Sequence, residues 1–98
     1  MPASTNLIRT NHILQLYGKV NLQTVSQLYE DFKDEFGSGI TCLDCQAVVE
    51  ADSSAISLLL ACKNLAKSQG RELHIEGMGD QLDSLARLYG VDSLLKAE

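Results

Sequence analysis

The sequence predicts an α/β domain: a small mixed β-sheet with helices packed on it, in the order ββαβαβα. Three observations lead there. Short strand-like apolar runs alternate with longer segments whose apolar residues recur every three or four positions. Glycines punctuate the ends of these segments, at positions 18, 37, 39, 70, 77 and 90. The connections are short, with no repeat, linker or low-complexity stretch in 98 residues.

The elements follow in order. Leu7-Ile8-Arg9 and His12 to Tyr17 flank the turn residues Thr10-Asn11, which predicts a hairpin ended by Gly18. Asn21 is the expected N-cap of a first helix, whose apolar face carries Leu22, Val25, Leu28, Tyr29, Phe32 and Phe36 and which Gly37-Ser38-Gly39 stops. Ile40 to Cys45 reads as a buried strand, with Ala47-Val48-Val49 as a further extended piece. A second helix is expected from about Ser54 to Ser68, with Gly70 in the left-handed position beyond it. Glu72 to Glu76 forms the next strand, ended by Gly77. The last helix, about Asp80 to Tyr89, is expected to bury Leu82, Leu85, Ala86 and Tyr89 before Gly90.

Composition narrows the function. The net charge is −5, from 8 basic and 13 acidic side chains, and no basic run exists. Binding to a nucleic-acid backbone needs clustered Lys and Arg, so no nucleic-acid partner is expected. The same balance argues against direct attachment to an anionic membrane surface. The longest apolar run, Ala55 to Cys62 broken by Ser57, is too short to span a bilayer, so no direct membrane insertion is expected. Met1 to Asn6 has neither the basic nor the apolar region of a signal peptide, which predicts a cytoplasmic protein with a loose first few residues. Three cysteines are then expected to remain thiols.

The second helix departs from a simple amphipathic pattern. Ala55, Leu58, Leu59, Cys62, Leu65 and Ala66 form one apolar face for the sheet, while Lys63, Asn64, Lys67 and Ser68 form the solvent face of the second half. In the first half that outer face carries Ile56 and Leu60 beside Ser57. With Ser53 entering the helix, Ser53, Ile56, Ser57, Leu60 and Asn64 make one outward stripe of a kind that docks partner proteins. The competing reading is that other parts of the same chain cover Ile56 and Leu60.

No catalytic motif survives inspection of the residues and their spacing. Cys42 and Cys45 are spaced Cys-x-x-Cys, but within a strand a separation of three places them on opposite faces. No second cysteine pair or adjacent histidine supports a metal site, and no cofactor is expected. His12 and His74 lie in strands without a recognisable triad partner. Asp52-Ser53-Ser54 has the form of a helix cap, and Gly77-Met78-Gly79-Asp80 lacks the spacing and lysine of a phosphate loop. The chain is not expected to be an enzyme.

A strand followed by Ala51-Asp52-Ser53-Ser54-Ala55 and the aliphatic Ile56-Ser57-Leu58-Leu59-Leu60 resembles the signature of STAS domains. The order of elements agrees over essentially the whole chain, implying a single STAS domain over residues 1–98. Ile40 to Asp44, Asn64 to Gly70 and Leu85 to Gly90 are similar to the MlaB branch of that family. The resemblance implies a non-catalytic subunit that binds an MlaF-like ABC ATPase, in a complex with a membrane permease that moves phospholipids to maintain outer-membrane lipid asymmetry. It implies a cytoplasmic protein held peripherally at the inner membrane by its partner. The family's functional Ser/Thr falls on Ser53, and the protein-binding surface would comprise Asp52, Ser53, Ser54, Ile56, Ser57, Leu60 and Asn64. The alternative is an anti-sigma factor antagonist with Ser53 as phosphoacceptor, where phosphate would bring about two negative charges. The family's usual glycine is Ala55 here, so the turn must avoid a positive φ at that position.

Overall fold

A computed structural model describes residues 6–37 and 39–96. The expectations for Met1 to Thr5, and the part of Ser38 in stopping the first helix, lie outside the described residues. The elements are β1 (Leu7–Thr10), β2 (Ile13–Val20), α1 (Val25–Phe36), β3 (Cys42–Ala51), α2 (Ser53–Ser68), β4 (His74–Glu76), α3 (Gly79–Leu88) and α4 (Asp92–Lys96). The four strands form one mixed sheet in sequence order, with β1 antiparallel to β2 and both β2–β3 and β3–β4 parallel.

The hairpin forms because Asn11 adopts a left-handed φ of 56°, which an Asn tolerates better than most residues. Gly18 does not end β2. It lies inside the strand with φ 77°, and the chain continues in the sheet to Val20. The Asn6 side chain bridges this kink, donating to the carbonyls of Tyr17 and Lys19 at 2.8 and 2.9 Å. The two extended pieces expected between residues 40 and 49 are one strand. β3 carries an extra residue opposite Leu16 and another opposite the Gly18–Lys19 step, and these bulges disguise its continuity in the alternation of the sequence.

Within β2, Leu14 and Leu16 are buried while Ile13 and Tyr17 are partly exposed, as strand alternation requires. The helices cover one face only. Leu14, Leu16, Leu43 and Cys45 meet Leu28, Phe32 and Phe36 of α1, Leu59 and Cys62 of α2, and Leu82 and Ala86 of α3 in one core. Arg71, just before β4, ties the far ends together. Its guanidinium lies 3.8 Å from the centroid of the Phe36 ring and donates to the carbonyls of Phe36 and Ile40.

Four further expectations are corrected. Asn21 caps a turn rather than the helix: its side chain accepts from the Gln23 amide, and α1 begins after Thr24. Leu22 therefore lies outside the helix and is 77% exposed. Tyr89 is 54% exposed because α3 ends at Leu88 and the chain turns away through Gly90. Finally, the order is ββαβαβαα: a five-residue helix follows, seating Leu95 fully in the core.

Candidate protein-docking site

The N-terminal end of α2 is built around one carboxylate. Asp52 is extended (φ −117°, ψ −170°), as an N-cap must be, and its Oδ1 accepts from the Ser54 amide at 2.9 Å and from the Ser54 hydroxyl. Its Oδ2 accepts from the Leu22 amide at 3.3 Å. The Ser54 hydroxyl bond, ahead of the amide bonds, holds the Asp52 carboxyl below its ordinary range against a weaker opposing desolvation. The strand below is fixed by the Asp52 amide donating to Val20 and by the Gln81 side-chain amide donating to the Ala51 carbonyl. The loop is thus clamped from β2, from the segment before α1 and from α3.

This clamp sets the neighbouring serines apart. Ser54 spends its hydroxyl on the cap. Ser53, the first residue of α2, is exposed, and its hydroxyl has no hydrogen-bond partner among the described residues. Ala55 lies within regular helix, so the absence of glycine carries no backbone strain.

The expected outward stripe is only partly present. Ser53, Ser57 and Asn64 are exposed and Leu60 is half-buried, but Ile56 is 3% exposed and belongs to the core. Tyr89 and Val91, at the α3–α4 junction, line a depression beside Ile56, and Val91 packs against the core to which Ile56 belongs. The competing reading holds for Ile56: the chain covers its own isoleucine.

What remains is a ridge between shallow depressions. On one side, about 440 Å³ is lined by Ser53, Ser57, Leu60, Tyr89 and Val91. On the other, Leu22, Val25, Ser26 and Tyr29 border a similar volume, with Ser54 and Ser57 common to both. Leu22 and Tyr89, both expected in the core, stand exposed beside this ridge. Leu22 looks like a core position in the helical pattern, and only the capping competition between Asn21 and Thr24 hints otherwise.

The other polar candidates stay outside this site. Burial, with Asp44 second, pushes the Cys45 thiol up to about 12, and burial with neighbouring Glu76 pushes Cys42 up to about 11. Cys45 joins the core and Cys42 does not, in keeping with opposite faces of the strand. No His, Cys, Asp and Glu cluster suited to a metal occurs among the described residues. Nor, among them, is any helix long and apolar enough to cross a membrane.

Comparison with known proteins matches residues 6–96 to the family described as "Mlab, STAS domain". The chain belongs to the STAS family. Its STAS domain is 33% identical over 91 residues to the "Intermembrane phospholipid transport system binding protein MlaB" of Escherichia coli (strain K12), covering 93% of each chain. The protein of the same name from Shigella flexneri matches to the same extent. The STAS fold itself is shared with the anti-sigma factor antagonist SpoIIAA in its unphosphorylated form. That structure aligns with a TM-score of 0.70 at 14% identity, over 91% of this chain and 83% of that one.

Proposed function

We propose that this protein is a non-catalytic STAS subunit that binds and supports the ATPase of an inner-membrane ABC phospholipid transporter maintaining outer-membrane lipid asymmetry. The relatives named as binding proteins of an intermembrane phospholipid transport system support the setting. The observation that carries the mode of action is exposed Ser53, whose hydroxyl has no partner among the described residues, at the head of a clamped helix and flanked by exposed Leu22 and Tyr89. A surface fixed from three sides needs no ordering when it docks, which lowers the entropic cost of association. Ser53, Ser54, Ser57 and Leu60 would form the centre of contact, with Asp52 setting the geometry and Asn64 at the margin. Ile56 would act only by supporting the ridge from beneath. The protein would remain cytoplasmic, peripheral to the membrane through its partner.

The test is co-purification of the host's ABC ATPase with wild-type protein and with Ser53→Arg. The arginine is expected to abolish recovery while circular dichroism and the thermal midpoint stay unchanged. Undiminished recovery with the variant sinks the interface.

A second reading, an anti-sigma factor antagonist phosphorylated on Ser53, draws on the same exposed hydroxyl. A phosphate there would be favoured by the helix N-terminus and opposed by the adjacent Asp52 carboxylate. Intact mass of protein from the native host separates the two: a stoichiometric phosphorylated species on Ser53 favours this second reading.

A further inference from the structure

The outer side of α2 changes electrical sign along its length. Asp52 and, across the groove, Glu30 stand near its start, while Lys63 and Lys67 stand one turn apart in its second half. Beyond Leu60 the ridge opens into a third depression of about 390 Å³, between the end of α2, the segment before β4, and α4. Leu60, Leu73 and exposed Leu94 give it apolar walls. Lys67 and Arg71, with Lys63, bring positive charge to its rim, and Glu72 is the one acidic side chain among the described residues that line it. In a chain of net charge −5, three of its eight basic side chains gather here.

We infer that this basic, leucine-walled depression is a second contact region for the partner that docks on Ser53, and that it receives an acidic segment of that protein carrying an apolar side chain. The inference rests on the docking reading above. Leu60 is common to both depressions, so a partner seated on the Ser53 ridge reaches the second without leaving the surface. The leucines accept the apolar side chain and the cations accept the carboxylates. With acid at one end of the face and base at the other, a partner can sit in one orientation and is repelled in the reverse one. Arg71 is held by Phe36 and the two carbonyls, so it contributes fixed charge, whereas Lys67 is exposed and can follow the partner.

The experiment measures association of the purified protein with its host's ABC ATPase at low and high salt. It compares wild type, the double variant Lys63→Glu with Lys67→Glu, and the milder Lys63→Gln with Lys67→Gln. Arg71 is left intact because it supports the fold. Charge reversal is expected to slow association about tenfold at low salt and to flatten the salt dependence, with the glutamine pair intermediate. Wild-type binding that both pairs leave unchanged overturns the inference while leaving the docking reading standing. Absence of wild-type binding overturns both. Binding of the wild type to phosphatidylglycerol vesicles, lost on charge reversal, would reassign the depression to anionic lipid and overturn the inference.

Discussion

Asp52 and Leu22, thirty residues apart, are joined by a single bond from the Leu22 amide to the carboxylate oxygen that the α2 cap leaves over. One side chain therefore sets both the start of α2 and the position of the most exposed leucine beside it. Replacing Asp52 with Ala should release the two amides together. Amide hydrogen exchange followed by NMR is expected to show Leu22 and Ser54 losing protection while Leu43, in the central β3, keeps it.

The same carboxylate gives a signed pH dependence. Its folded pKa lies below the ordinary 3.8, chiefly through the Ser54 hydroxyl, so its contribution is complete above that value and disappears as pH falls through the folded pKa. Urea midpoints of wild type and Asp52→Ala should differ constantly from pH 5 to 7, on the order of ordinary carboxylate titration limits. They should converge only on acidification below 3.8. Convergence beginning at higher pH would contradict the assignment.

Ile56 and Leu60 are one helical turn apart and should respond differently. Ile56→Ala removes a buried side chain and should cost about 2–4 kcal/mol in urea unfolding. Leu60→Ala, at a half-buried position, should cost about 1 kcal/mol. Affinity for the partner should fall with Leu60→Ala. For Ile56→Ala it should fall only as far as the folded fraction does.

Arg71 is a structural cation. Arg71→Ala removes the stack on Phe36 and two donors to carbonyls at the α1 end and before β3, and should destabilise by about 2 kcal/mol. Lysine should recover less than half of that loss, because a point charge cannot fork to two carbonyls while lying flat on a ring.

The three buried thiols should be inert. Raised pKa values leave little thiolate at pH 8, so iodoacetamide should modify none of Cys42, Cys45 and Cys62 in native protein and all three in urea. Intact mass before and after unfolding reads this directly.

Much of this was legible in the sequence. The strand–helix alternation, the Asp52 cap, the start of α2 to within one residue of the expected Ser54 and the left-handed Gly70 follow from local rules, because each is decided by residues within a few positions. What local rules missed was decided at a distance. Ile56 lies on the outer side of α2 by helical phase, yet it belongs to the core, against which Val91 of the returning chain also packs. The continuity of β3 is hidden by two bulges that shift the alternation. α4 is too short for periodicity to announce and exists because Leu95 has a place in the core. Leu22 and Tyr89 carry the apolar signature of core residues, and their exposure comes from where the helices start and stop.

The outermost strands, β1 and β4, are only four and three residues long. A row of unpaired backbone groups that brief offers little template for another chain, so the sheet resists zipping onto its neighbours. In a crowded assembly this protects against aggregation, and it steers recognition away from backbone pairing and onto side chains of the helical layer.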